Sequence, residues 1–465
     1  MSTESTSQSG NILGTEPVGK LLARYAIPSV ISMLVNSIYN IVDQIFIGHG
    51  VGYLGNSATT VAFPVVVIML GISLLIGNGS ASLISLELGK GQSDNAKRLL
   101  GNAVSLILGF GIAIAAIVTL FLQSILTGLA ATPDIMPYAV DYLGVIALGA
   151  PLSMITTGIT SVIRADGSPR YSMVATMSGA ILNVILDPIF IFVFGMGVRG
   201  AAIATVISQG VSAVMVMYYI LFRAKYVRLR PKYMKLNFPL IGRMFALGSS
   251  SFVNQITISI INIVLNNALK HYGTASAFGS EIPIAAMGIV MKINSIMIST
   301  ILGIAIGCQP ILGFNYGAKN YGRVRHTLKT AVTVAFSISL VANILFVAFP
   351  QVFIGIFGDQ SEMFNTFAAM ALRTYLCCVF AAGIQIPCSN YFQATGRPII
   401  SMILTLLRQI LVLVPLILIL PRFFGLEGIL YAMPITDIVA LTVTLIFVFR
   451  EMRTLPKTDV GSAAA

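Results

Sequence analysis

Two aspartates stand inside long apolar runs of this chain, Asp43 in YNIVDQIFIG (39–48) and Asp187 in NVILDPIFI (183–191). A carboxylate at membrane depth costs roughly 2.5–3.5 kcal/mol on insertion scales, and such residues usually mark ion or proton pathways. Polar neighbours follow at helical spacing. Asn36, Asn40 and Asp43 are related as i, i+4, i+7, and so are Thr205, Gln209 and Ser212. Asn183 and Asp187 are i, i+4, with Pro188 loosening the backbone beside the acid. Each set forms one stripe on a helix face. Two carboxylates meeting in a dry site cannot both stay charged cheaply, so they would share a proton and titrate as a unit. A monovalent cation held by oxygens of Asp43, Asn183, Asp187 and Thr205 is the competing ligand. The structural alternative is an interhelical hydrogen-bond network, worth about 0.6 kcal/mol per contact in membrane bundles. That alternative suits the asparagines and Thr205 as well as function does; the aspartates favour function.

The elements that must position these residues are membrane helices. Of the 465 residues, 56% are hydrophobic and 9% charged, with a mean hydropathy of +0.91. Soluble domains carry about 25% charged residues. Residues 1–20 are polar and lack the basic start and short apolar core of a cleavable signal. Between 21 and 450, twelve apolar runs are long enough to span a bilayer. The expected class is therefore an all-α integral membrane protein. Prolines within the runs (Pro28, Pro64, Pro151, Pro188, Pro310, Pro387, Pro415, Pro434) predict bends, since neighbouring helices can satisfy the freed carbonyls.

Lysine and arginine set the orientation. Lys20, Arg24, Lys90, Lys97, Arg98, Arg164, Arg170, the run from Arg223 to Arg243, Lys319 to Lys329, Arg397, Arg450, Arg453 and Lys457 fall on one side. The other side holds Arg199, Lys270 and Arg422. The positive-inside rule then puts both termini and the basic linker in the cytoplasm. The net charge of +12 is dispersed between apolar runs, which argues against nucleic acid as a partner.

The sequence repeats itself. Asn40-Ile41-Val42-Asp43 matches Asn262-Ile263-Val264-Leu265, and GQSDNAKR (91–98) matches GAKNYGRV (317–324). RADGSPRYSM (164–173) matches QATGRPIISM (393–402), and GVRGAAIA (197–204) matches GLEGILYA (425–432). The expected organisation is a tail (1–20), a six-helix lobe (21–222), a linker (223–239), a second six-helix lobe (240–450) and a tail (451–465). Six helices per lobe imply a pseudo-two-fold axis along the membrane normal, with a substrate cavity between the lobes. Across the repeat Asp43 faces Leu265 and Asp187 faces Leu416. Acids kept in one half only point to function rather than to folding.

These motifs together resemble the multidrug and toxic compound extrusion (MATE) family, and the acid placement resembles its DinF-like bacterial branch. The likeness runs over residues 15 to 450 or so. It implies that Asp43, Asn183, Asp187 and Thr205 form a cation or proton site, with Asn36, Asn40 and Gln209 as accessory polar groups. It also implies export of amphipathic, often cationic small molecules in exchange for protons or sodium ions, by alternating access and without a cofactor. The expected setting is the plasma (inner) membrane, in contact with lipid, as a monomer. The tenth run has Arg373 and Gln385 and no acid, unlike the NorM-like branch, so a coupling site in the second lobe is not expected.

Other readings are weaker. A flippase for lipid-linked precursors would need basic residues in the core of both halves, and the sequence offers candidates in the second half only. An intramembrane prenyltransferase would need paired Asp-rich motifs, and no D-x-x-D or D-D occurs. GTEPVGKL (14–21) resembles a phosphate-binding loop, but Leu21 replaces the magnesium-holding Ser/Thr and no strand precedes it. His49, His271 and His326 are scattered, and Cys308, Cys377, Cys378 and Cys388 fit no zinc spacing. Glu281 and Lys292 share a helix face and are expected to pair or snorkel; Arg373, Arg408 and Asp437 are read the same way.

Overall fold

A computed structural model describes residues 12–357 and 361–456. Residues 1–11 and 457–465 of the expected tails, Lys457 among them, lie outside the described residues. The chain forms the helices α1 (Val18–Val51), α2 (Tyr53–Gly89), α3 (Ser93–Leu120), α4 (Met136–Leu148 and Ala150–Ala165), α5 (Pro169–Val193) and α6 (Gly197–Arg223). The second half gives α7 (Phe238–Thr274), α8 (Glu281–Gly317), α9 (Tyr321–Ala348), α10 (Glu362–Tyr375 and Val379–Ala394), α11 (Pro398–Ile419) and α12 (Pro421–Thr454). Ten are long and apolar enough to cross a membrane, and α4 and α10 complete twelve as bent pairs, at 55° and 41°. A short helix, Ile12–Thr15, precedes α1.

The prolines do not end their helices. Pro28, Pro64, Pro310, Pro387 and Pro434 lie inside continuous helices. Pro151 opens the second segment of α4. Pro188 leads into a π-helical stretch, Ile189–Val193; α11 has one at Leu407–Leu413, earlier in the repeat register. Such stretches are common where a helix carries function.

The fourth helix of each half breaks, and each fifth helix holds a π-helical stretch at its own register. Backbone turns sharpen the register. Gly167 and Gly396 both take positive φ, as do Gly197 and Gly425. After α2 the positive φ falls on Gly91, and after α8 on Lys319. Gln92 N–H donates to the Glu87 carbonyl and Asn320 N–H to that of Asn315, each at 2.8 Å. Gly91 thus corresponds to Lys319 rather than to Gly317, which corrects the sequence match by two residues. Lysine tolerates this left-handed position because it sits in an exposed turn.

Two large cores form, one per half, and they exchange elements. Leu22 and Ala26 of α1 pack in the core of the second half. Leu240, Ile241, Met244 and Leu247 of α7 pack in that of the first. The halves approach to backbone contact near the face that carries the basic residues. A Cβ on Gly248 would meet the Leu75 carbonyl oxygen at 1.8 Å, and one on Gly307 would meet Ala26 Cα at 2.6 Å. Gly89 and Gly317 make a symmetric pair, against the carbonyls of Phe314 and Leu86. Only glycine permits such approach. Beside this seam, buried Glu87 of α2 bridges to Arg243 of α7 at 3.2 Å and to Lys90 at 3.1 Å.

The linker after α6 is held by Asp166, whose carboxylate accepts hydrogen bonds from Tyr219 Oη and the backbone N–H of Lys225, Tyr226 and Val227 at 2.7–2.8 Å. Of the two expectations for Glu281 and Lys292, pairing or snorkelling, no ion pair between them is seen among the described residues; Lys292 lies over the Phe357 ring, 5.9 Å from its centroid. Both side chains are exposed on α8, eleven residues apart, and helical rise separates them too far for contact. Arg373 donates to the Val347 carbonyl at 3.0 Å.

Candidate cation-coupling site

Helices α1, α5 and α6 bring the first-half stripes together. Asp187 is fully buried and Asp43 nearly so, 0% and 9% exposed, and the two acids are neighbours in the interior. Asn183 Nδ2 donates to Asp187 Oδ1 at 3.0 Å and to Thr205 Oγ1 at 3.3 Å. The i, i+4 spacing on α5 puts Asn183 one turn below Asp187, and Pro188 with its π-helical sequel releases backbone groups beside the acid.

Asn183 and Thr205 line a polar cavity of about 110 Å³, whose wall includes neither Asp43 nor Asp187. Asn36, Tyr39, Thr156, Asn183, Thr205 and Gln209 contribute to its wall. That volume holds a few waters or an ion, well below the roughly 300–1,000 Å³ of a drug-sized pocket. Asp43 Oδ1, Asp187 Oδ2, Asn183 Oδ1, Gln209 Oε1 and Ser208 Oγ are buried without a hydrogen-bond partner. Two of these oxygens belong to the acid pair and three lie on neighbouring residues, and a proton, a cation or water can satisfy them.

Asn40 departs from the expectation. Its side chain is exposed and folds back to its own helix, Nδ2 donating to the Asn36 carbonyl at 2.6 Å. It lies outside the cavity wall, because the i+4 position drifts off the stripe that Asn36 and Asp43 share. Ser212 lines the cavity and donates to the Ala175 carbonyl at 2.9 Å.

Sequence reasoning missed Arg164. By position it belongs with the orienting basic residues, and the sequence offers core cations in the second half only. Instead Arg164 is buried, 6% exposed, in the wall of this first-half cavity. The repeat carried a signal: Arg164 aligns with neutral Gln393, as the acids align with leucines. Asn78 was also missed; it ties the cavity to the second half through Ser251 Oγ at 3.0 Å and accepts from Ser161 Oγ at 2.9 Å.

A family model described as MatE matches residues 28–189 and 250–419, one segment in each half. The chain belongs to the MATE family of efflux transporters. Among MATE proteins it is similar to the multidrug export protein MepA of Staphylococcus aureus, 27% identical over 93% of this chain and 94% of MepA. The Staphylococcus saprophyticus MepA is 25% identical over 95% and 96%. Of solved structures, the MATE multidrug transporter DinF-BH is 34% identical, covers 96% and 98% and superposes with a TM-score of 0.86. A MATE bound to MaL6 gives 25% identity, 96% and 99% coverage and a TM-score of 0.90. This is a family of membrane transporters and not of enzymes.

The second MATE lobe fills the equivalent place differently. In the repeat register Gly179 of α5 corresponds to Arg408 of α11, and Gln209 of α6 to Asp437 of α12. Arg408 Nε donates to Asp437 Oδ1 at 3.0 Å, and both side chains are buried. Where the first lobe keeps a cavity, the second has an ion pair, in which Arg408 Nη2 and Asp437 Oδ2 lack a hydrogen-bond partner.

Proposed function

We propose that this chain exports amphipathic, often cationic compounds in exchange for protons or sodium ions, with the exchange carried by Asp43 and Asp187. The observation that carries this reading is the buried acid pair, each acid with an unpartnered oxygen, beside three more on Asn183, Gln209 and Ser208. Loading a proton or monovalent cation there satisfies Asp43, Asn183, Asp187 and Thr205, and Gln209 and Asn36 extend the polar wall. Loading and release alter how α1, α5 and α6 pack. Because α1 also packs in the core of the second half, that change reaches the seam between the lobes.

Residues 21–222 and 240–450 are the two units that rock about the glycine-lined seam in alternating access. The basic face is the cytoplasmic face of the plasma (inner) membrane, and both termini lie there. One chain supplies the whole site, so the monomer suffices. Flipping of a lipid diphosphate is less well supported: Arg408 is neutralised by Asp437, and Arg164 alone falls short of the multiply charged surface a diphosphate needs.

Dye efflux from vesicles under separately imposed proton and sodium gradients tests this. Export driven by one gradient and abolished when it collapses is expected. Efflux indifferent to both gradients would overturn the coupling.

A further inference from the structure

A second asymmetry between the lobes lies at the end of the molecule that carries the basic residues. Two open grooves of about 480 and 380 Å³ meet there, where α1 passes the start of α5. Arg24 and Arg170 line both; Lys20 adds to the first and Lys225 to the second. Among the described residues Glu16 is the one acid in either wall, and it is already shared between Lys20 at 3.2 Å and Arg24 at 3.3 Å. Among the described residues neither Arg170 nor Lys225 has a carboxylate within 4.0 Å. Asp166 lies buried nearby, with both oxygens taken by Tyr219 and the linker N–H groups. Burial and Arg24 push the Lys225 ammonium below its usual range, more than Asp166 restores. The groove thus gathers like charges that lack a counter-ion.

The scaffold does not need this charge. In the repeat register Arg24 corresponds to Ala246 and Arg170 to Ile399, both exposed in the second lobe. Arg397, beside Ile399, is neutralised by buried Glu451. Beyond the cations the first-lobe groove turns apolar. Ile27 stands three residues after Arg24 and Val174 four after Arg170, one helical turn in each case. They are 58% and 47% exposed. Pro28 and Tyr171 add to the walls, and on α5 the exposed stripe runs on through Ile181 and Ile185. In a multi-pass membrane protein, cations at a helix end above an exposed apolar stripe match the two ends of a phospholipid. The arginine fork is suited to its phosphate.

We propose that this groove binds an anionic phospholipid, its phosphate held by Arg24, Arg170 and Lys225 and an acyl chain lying along Ile27 and Val174. The proposal needs only the membrane embedding and stands apart from the export reading. It ties a lipid to the ends of α1 and α5, the two helices that carry Asp43 and Asp187. A soluble phosphodiester offers the same charge without the chain and is the alternative source of the anion.

The test is native mass spectrometry of the purified full-length protein, titrated in detergent with dioleoyl phosphatidylglycerol or dioleoyl phosphatidylcholine. The wild type should hold one phosphatidylglycerol about tenfold more tightly than phosphatidylcholine, because each cation near an anionic headgroup contributes about fivefold. Arg170→Ile, which installs the residue of the second lobe, should weaken phosphatidylglycerol about fivefold, and Arg170→Ile/Lys225→Ala by about twenty-five-fold. Arg98→Ile removes an exposed cation outside the groove and should leave the affinity unchanged. Glycerophosphoglycerol, the headgroup without chains, should not compete at equal concentration. A wild type that binds the two lipids alike overturns the proposal without recourse to any variant. So does an Arg170→Ile protein that weakens no more than Arg98→Ile, because the preference then belongs to the basic face as a whole. Competition by glycerophosphoglycerol at equal concentration assigns the cations to a soluble phosphodiester and also overturns it.

Discussion

Each lobe buries an aspartate among its fifth and sixth helices, and the two acids have opposite company. Asp187 meets another carboxyl, Asp43, beside a polar cavity. Asp437 meets Arg408 in the space where the first lobe has Gly179 and a cavity. The arginine occupies the place a proton or ion would take. Duplicated scaffolds thus supply position, and the partner of each acid decides whether it can cycle or only hold helices together.

Breaking this comparison begins with the acids. Asp187→Asn keeps the volume and removes the exchangeable charge, so gradient-driven efflux should fall to background while expression and melting temperature stay near wild type. Asp437→Asn should do the reverse. It strands Arg408 in the interior at a cost of about 3–5 kcal/mol, read as a lowered melting temperature, with residual efflux per folded molecule. The double variant Arg408→Leu/Asp437→Leu should recover most of that stability, since removing both partners of a buried pair is often neutral. If Asp437→Asn stops efflux without loss of stability, and Asp187→Asn does not stop it, the coupling site is in the wrong lobe.

The seam between lobes sharpens the comparison at a smaller scale. Gly248→Ala puts a Cβ 1.8 Å from the Leu75 carbonyl oxygen, whereas Gly242 of the same helix has nothing within 4 Å. Gly248→Ala should destabilise by about 1–3 kcal/mol, and Gly242→Ala should be neutral or gain about 0.5–1 kcal/mol from helix propensity. Thermal melting of the two proteins side by side checks the sign. The smallest contrast lies on α1 and α6: Gln209→Ala, in the cavity wall, should lower coupled efflux several-fold, and exposed Asn40→Ala should leave it within about twofold of wild type.

The sequence carried most of the fold because its signals are long-range averages. Twelve apolar runs and a half-to-half match survive small errors of register, such as the displacement of Gly91 against Lys319. The acid pair was legible because a carboxylate in an apolar run has few innocent explanations, and the i, i+4 partners Asn183 and Asp187 share a face whatever the tertiary packing. Asn40 was misplaced because spacing alone does not say how a short amide will bond, and its own helix offered the Asn36 carbonyl. Arg164 escaped because a basic residue near a helix end reads as a membrane anchor. Only packing against α5 and α6 reveals that it points inward. The glycine seam was invisible for a related reason: glycine is common in membrane helices, and close approach is a property of pairs of helices.

The account's central claim is that ion binding at Asp43 and Asp187 drives transport. Uphill transport in proteoliposomes with pH, sodium and membrane potential clamped separately tests it most directly. One cation exchanged for a neutral compound at 100 mV makes available about 2.3 kcal/mol, enough to sustain roughly a fortyfold gradient. The wild type should build such a gradient, and exchange of a monovalent cationic compound, which moves no net charge, should depend little on potential. Asp43→Asn should equilibrate either compound downhill and accumulate neither. Undiminished ion-driven uphill transport by Asp43→Asn would contradict the claim.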